Sequence, residues 1–118
     1  MRLSIIVPVY NKKRYLSGLL ALLRAQTFTD YECLLIDDGS TDGSGALCDR
    51  YAARYPHIRV IHKENEGLMM TRRRGFREAR GDYFICLDSD DALNDSDALK
   101  KIRRMIEEKN ADLVIYEY

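Results

Sequence analysis

The feature that most restricts this chain is the stretch Leu3–Val9, Leu-Ser-Ile-Ile-Val-Pro-Val. It is strand-sized and apolar at nearly every position, so it suits a strand covered on both faces. Strands of that kind belong to parallel sheets with helices packed above and below. Pro8 lies near the end of the run, where a missing N–H is tolerated.

The rest of the chain alternates accordingly. After the polar turn Asn11-Lys12-Lys13-Arg14, residues Tyr15–Gln26 place Leu16, Leu19, Leu20 and Leu23 at helical spacing. Thr27–Asp30 reads as a loop and Glu32–Asp37 as a second strand. Asp38–Gly43 is turn chemistry, with Ser40, Thr41 or Asp42 as caps for a helix from about Gly43 to Tyr55 that Pro56 ends. Ile58–His62 reads as a third strand, and Lys63–Gly67 as a polar loop. A basic helix over Met69–Ala79 with Gly81 as its C-cap comes next, then a fourth strand over Asp82–Leu87. A helix is expected over Asp97–Lys109 and a fifth strand over Leu113–Tyr118.

Short loops between alternating strands and helices imply parallel crossovers. The expected fold is one α/β domain over residues 1–118, a three-layer sandwich with a central, mostly parallel sheet. Because the chain stops on the apolar Leu113-Val114-Ile115-Tyr116, the domain reads as truncated. Ligands of such sheets bind outside the carboxyl ends of the strands. The residues that stand out chemically fall at those ends: Val9-Tyr10-Asn11, Asp37-Asp38 and Asp88–Asp91.

Composition narrows the function classes. With 118 residues, 46% hydrophobic and 32% charged, the chain is globular, and 19 basic against 19 acidic residues leave no net charge. No global field draws it toward nucleic acid or an anionic membrane. No apolar run approaches the roughly 18 residues that cross a bilayer, and the N-terminus does not read as a signal peptide. The three cysteines, Cys33, Cys48 and Cys86, are widely spaced among apolar neighbours and read as reduced, buried residues of a cytoplasmic protein. His57 and His62 lack further ligands at metal-binding spacing. P-loop, dinucleotide and nucleophile-elbow motifs are absent.

Four clusters remain. Asp88-Ser89-Asp90-Asp91 follows a buried strand, and closely spaced carboxylates suit Mg²⁺ or Mn²⁺ together with a diphosphate. The bland alternative is an acidic turn capping the next helix. Mutual repulsion of crowded carboxylates argues for function. Asp38, just past a strand, can accept hydrogen bonds from a base edge or a ribose, although Asp-Gly-Ser turns are common. Tyr10 can stack on a planar ring or simply terminate a strand. Of the arginines, Arg73, Arg77 and Arg80 share a helical face that reads as solvated. Arg72, near the helix start, is placed to approach a diphosphate.

Taken in order, these segments resemble the inverting family 2 glycosyltransferases of GT-A fold. The resemblance rests on Ser4–Asn11, Gln26-Thr27-Phe28, Leu35–Asp42, Asn65-Glu66-Gly67-Leu68 with Arg72 and Gly75, and Phe84–Asp91. It implies a nucleotide-diphospho-sugar transferase-like domain. Pro8 and Tyr10 would flank the base and Asp38 would hydrogen-bond it. Asp88 and Asp90 would hold the ribose and a Mn²⁺ or Mg²⁺ ion, with Arg72 at the diphosphate. It further implies a nucleoside-diphosphate sugar donor, UDP-sugar favoured, and a glycan or lipid-linked acceptor in bacterial polysaccharide synthesis. The setting would be cytoplasmic, at the inner face of the membrane, without nucleic acid and with scope for self-association. The catalytic base is expected beyond Tyr118, so a chain of this length alone would transfer sugar weakly or not at all. The resemblance is thinnest at Gly67–Gly75, where Met69 and Arg73 stand in place of small or polar residues.

Two rival readings share parts of this pattern. A phosphoacceptor receiver module has the same length and alternation, but wants an acidic pair after the first strand and a Lys near the end of the fifth. A nucleic-acid-binding domain would use the arginine helix, but wants a wider basic surface.

Overall fold

The computed structural model describes residues 2–26 and 29–87, together with Lys100 and Arg104. Four strands, β1 (Leu3–Val9), β2 (Tyr31–Asp38), β3 (Ile58–Lys63) and β4 (Tyr83–Cys86), alternate with helices α1 (Lys13–Arg24), α2 (Ser44–Arg54) and α3 (Leu68–Glu78). The sheet is parallel throughout, in the order β3-β2-β1-β4. The expected helix over Asp97–Lys109, the fifth strand and Thr27–Phe28 lie outside the described residues.

Alternation along the strands assigns the two faces. Leu3, Ile5, Val7 and Val9 of β1, with Cys33 and Leu35 of β2, pack against Leu16, Leu19, Leu20 and Leu23 of α1 and Cys48 of α2. Ile6, Leu34 and Ile36 point to the other side. There α3 lies so close that a Cβ on Gly75 would sit 2.4 Å from Ile6 Cγ2. The result is the three-layer sandwich anticipated from the alternation. Burying a Leu or Ile side chain is worth roughly 1.5–3 kcal/mol, so the leucine stripe of α1 is the main adhesive of its layer.

Pro8 sits inside a central strand yet breaks no rung. Leu87 N donates to Ile6 O at 2.9 Å, so even-numbered β1 residues turn their backbone groups toward β4. The β4 rungs end at the Ile6–Cys86 pair, and the missing Pro8 N–H faces the side where the strand has stopped.

Several local expectations are corrected. Helix α1 begins at Lys13 rather than Tyr15, because Tyr15 N and Leu16 N already reach Lys12 O. Gly43, at φ 91°, is the N-cap of α2, while Asp42 in front of it accepts the Ser44 N–H at 2.9 Å. Gly81 is no C-cap, since α3 ends in extended backbone at Ala79. A side chain at Gly81 would collide with β1, its Cβ falling 2.7 Å from Ser4 Oγ. Arg80 lies past α3, so it does not share a helical face with Arg73 and Arg77. Cys33 and Cys48 are buried and reduced, and burial pushes each thiol up to about 12. Cys86 is reduced but only partly buried.

Candidate nucleotide-binding end of the sheet

The strand order reverses between β1 and β4. In open parallel sheets that reversal opens a crevice beyond the carboxyl ends of the strands, where ligands bind. At that point of this sheet Tyr10 follows β1 and Leu87 follows β4, the latter being the last described residue before the acidic cluster. A receiver-type sheet would instead set β3 beside β1, so the observed order excludes that rival.

Three loops meet at this end, and polar hubs lock them together. Asn11, at φ 52°, adopts the left-handed conformation that asparagine tolerates better than most residues. Its Oδ1 accepts the N–H groups of Thr41 at 2.7 Å and Asp42 at 3.2 Å, while its own N–H donates to Ser40 Oγ at 3.1 Å. The β1–α1 loop is thereby stitched to the β2–α2 turn. Tyr10, between β1 and this stitch, is 48% exposed. Its ring is free to meet a planar partner.

Asp38 is the second hub. It lies on the α3 side of the sheet, as do Pro8 and Ile36 on neighbouring rungs. The Val9–Asp37 pair is the last β1–β2 rung, so Tyr10 and Asp38 each follow directly from it. Asp38 is only 3% exposed. Its Oδ1 accepts Lys63 Nζ at 2.8 Å and the Glu66 N–H at 2.9 Å, and its Oδ2 accepts the Gly67 N–H at 3.1 Å. Asn65 Nδ2 donates to the Asp38 carbonyl at 3.1 Å. Burial alone would raise the Asp38 pKa, but the Lys63 hydrogen bond, the two backbone N–H groups and the Lys63 charge together hold it below the usual carboxylate range.

Glycines permit this packing. Gly39, at φ 71°, lets the β2–α2 turn approach the β3–α3 loop, and a Cβ there would lie 2.9 Å from Asn65 N. Gly67, at φ 95°, is the N-cap of α3. A carboxylate bonded to that N–H is favoured by the helix dipole.

Asp37 points to the opposite face. Its Oδ2 meets His62 Nδ1 at 2.7 Å, and His62 Nε2 meets Asp49 of α2 at 2.8 Å. Hydrogen bonds to Asp37 and then Asp49 raise the His62 pKa against the opposing effect of burial. A Cβ on Gly45 would already lie 2.6 Å from Asp37 Oδ2, so α2 is held tight to this pair.

Of the sequence-predicted site residues, Pro8, Tyr10 and Asp38 come together at the carboxyl ends of β1 and β2. Arg72 is half-buried near the start of α3, whose N-cap is tied to Asp38. Asp88 and Asp90 lie outside the described residues. Lys63 and Asn65 take part in the site but read in the sequence as ordinary loop residues. The signal that marks Lys63 is its cross-strand register with Asp38, which a linear sequence does not display. No helix among the described residues is long and apolar enough to cross a membrane.

Comparison with known proteins agrees with this geometry. Residues 4–118 match the family model for glycosyl transferase family 2. The chain is 36% identical over 117 residues to the glycosyltransferase GlyG of Streptococcus pneumoniae, covering 98% of this chain and 38% of GlyG. It superposes on Staphylococcus aureus TarS 1-349 in complex with UDP-GlcNAc with a TM-score of 0.83 at 31% identity, covering 93% of this chain and 32% of that one. The fold is likewise that of the mannosyltransferase PcManGT from Pyrobaculum calidifontis, with a TM-score of 0.83 at 24% identity. The chain thus spans about a third of the length of these proteins. With a parallel sheet whose order reverses between β1 and β4 and a family match over nearly its whole length, the chain belongs to glycosyl transferase family 2.

Proposed function

We propose that this chain binds the nucleoside-diphosphate sugar donor of a glycosyltransferase, with UDP as the favoured nucleotide. The observation that carries the reading is the meeting of an exposed Tyr10, a buried ionised Asp38 and the α3 N-terminus beside the β1–β4 crevice. An aromatic face suits a base, an acceptor-only carboxylate suits a base N–H, and a helix N-terminus with Arg72 nearby suits phosphate. UDP-GlcNAc bound to the similar TarS supports the same donor class.

In this reading Pro8 and Tyr10 flank the base, Asp38 fixes its edge and Arg72 assists at the diphosphate. Asp88 and Asp90 supply oxygen ligands, the donor set that Mn²⁺ or Mg²⁺ prefers. Such an ion, when bound, neutralises charge on the departing nucleoside diphosphate. The acceptor is a glycan or lipid-linked acceptor in surface-polysaccharide synthesis at the cytoplasmic face of a membrane, and its hydroxyl needs a base to deprotonate it as it attacks. Self-association through exposed apolar residues such as Met69 belongs to the same proposal, and light scattering at high concentration tests it.

Calorimetric titration of UDP with and without Mn²⁺ tests the core of the reading. Wild type should bind more tightly with the metal, Asp90→Ala should lose that gain, and Asp38→Asn should weaken UDP at any metal concentration. Equal heats for wild type and both variants would reject it.

A further inference from the structure

Lys63 was not among the residues that the sequence singled out, yet its side chain is largely enclosed at the carboxyl end of the sheet. Its side chain is 6% exposed, and it donates to Asp38 Oδ1 at 2.8 Å and to the Glu64 carbonyl at 2.9 Å. It also pairs with Glu66 Oε1 at 3.1 Å. A long, strongly hydrated side chain is rarely buried unless paired, because desolvation and lost rotamer freedom are costly. Stability alone does not require it, since a buried ion pair is often no better than well-packed apolar residues.

The distribution of bonds on Asp38 suggests what Lys63 does. A carboxylate has about four acceptor directions. Oδ1 is filled by Lys63 and the Glu66 N–H, whereas Oδ2 accepts, among the described residues, only the Gly67 N–H. Among the described residues, one acceptor direction on Oδ2 is therefore left unclaimed. Fixing Oδ1 also fixes the rotation of the carboxylate and so the direction in which that remaining acceptor points.

We propose that Lys63 is a positioning residue for nucleotide recognition, holding Asp38 ionised and rotationally fixed so that Oδ2 presents a single acceptor to a base N–H. The proposal rests on the reading of Asp38 as the base contact. The bases it suits are those that offer a ring N–H, as uracil does. Among the described residues, the charged groups around Asp38 are Lys63 from β3 and Glu66 from the β3–α3 loop, with the Asp37–His62 pair on the opposite face of the sheet. The backbone N–H groups of Glu66 and Gly67 remain when Lys63 is replaced. Losing the ammonium should therefore move Asp38 toward the neutral form without dissolving the loop.

The test is UDP binding by the full chain between pH 5 and pH 8, measured for wild type, Lys63→Met, Lys63→Gln and Asp38→Asn. Wild type sets the reference at each pH, because the terminal phosphate of UDP itself titrates near pH ~6, and every variant is read as its ratio to wild type. Lys63→Met should bind about tenfold more weakly at pH 7, the size expected for a lost charged hydrogen bond, and should weaken further as pH falls. Lys63→Gln keeps a donor but not the charge, so it should recover affinity at pH 8 and lose it toward pH 5. It carries the test if circular dichroism shows Lys63→Met unfolded. A pH-flat loss in the folded variants, or no loss, would overturn the positioning role. Unchanged UDP affinity in Asp38→Asn would instead overturn the base contact on which it rests.

Discussion

Strand β2 carries two buried carboxylates on its α3 side, Glu32 at the amino end and Asp38 at the carboxyl end. Both are pressed beneath an end of α3, and both pair with a cation from β3. Glu32 accepts Ser4 Oγ at 2.5 Å, the Arg80 N–H at 2.6 Å and Arg59 Nε at 3.1 Å. Arg59 also donates to the Glu78 carbonyl at 2.6 Å, placing a cation at the negative end of α3. Asp38 takes the Gly67 N–H at the positive end. The helix is thus clamped by complementary charge at both ends. At the amino end every donor to Glu32 serves to pin elements that are already packed. At the carboxyl end the donors to Asp38 come mostly from a glycine-containing loop beside an exposed tyrosine. The same pairing chemistry makes a structural clamp at the amino end and, in the function proposed above, a recognition site at the carboxyl end, where among the described residues one Asp38 acceptor is left over.

Breaking the amino-end clamp should have the largest effect on stability. Glu32→Ala strands Arg59 and the Arg80 N–H and should cost about 3 kcal/mol in urea unfolding, the lower end for a broken buried pair because Arg59 keeps some solvent contact. Acid should reproduce part of this loss. Burial raises the Glu32 pKa, but the Ser4 hydroxyl, the Arg80 N–H and Arg59 together leave it below its ordinary 4.5. A depressed carboxylate contributes fully above its unfolded pKa and loses that contribution as pH falls through its folded pKa. Stability should therefore fall below about pH 4.5, and Glu32→Gln should flatten that limb.

A smaller loss is expected from Gly75→Ala, about 2 kcal/mol, because the new methyl must displace Ile6 or lift α3 off the sheet. Its effect should reach both ends of the helix, so UDP affinity should fall along with the unfolding midpoint. Asn11→Ala separates the two ends more sharply. It should cost about 1 kcal/mol of stability while weakening UDP by a larger share, because the stitch that it removes holds the Tyr10 and Asp38 loops together. Equal losses in stability and binding would argue against a distinct recognition end.

The smallest effect belongs to the half-exposed His62. Its pKa is raised above the ordinary 6.5 by Asp37 and Asp49. Its contribution is fully present below pH 6.5 and is lost as pH rises through the folded value. His62→Gln should cost less than about 1 kcal/mol at pH 6 and almost nothing at pH 9, as exposed pairs usually do.

The layers of this protein were legible in its sequence because period and polarity are local properties. An apolar Leu3–Val9 and the leucine stripe of α1 specify their own burial wherever they are placed. The same holds for Tyr10, just past the end of β1, whereas Asp38, read in the sequence as the start of a turn, is the last residue of β2 because it still pairs with Lys63 of β3. Caps were less legible. Gly81 looks like a helix stop, but what it provides is space against Ser4, and that need arises only when β1 and β4 are neighbours. Gly75 in a basic helix looks like a weak helix former until Ile6 is placed beneath it.

The sequence by itself determined that this is a parallel α/β domain with polar chemistry at the carboxyl ends of its strands. Strand length, apolar period and turn residues are each written within a few consecutive positions. Tertiary structure alone decided the β3-β2-β1-β4 order and the registers that set Asp38 opposite Lys63 and Asp37 opposite His62. Those pairings join residues far apart in the chain. A cation becomes the partner of a particular carboxylate only when folding sets the two side by side and takes the carboxylate out of water, leaving it no cheaper way to satisfy its charge.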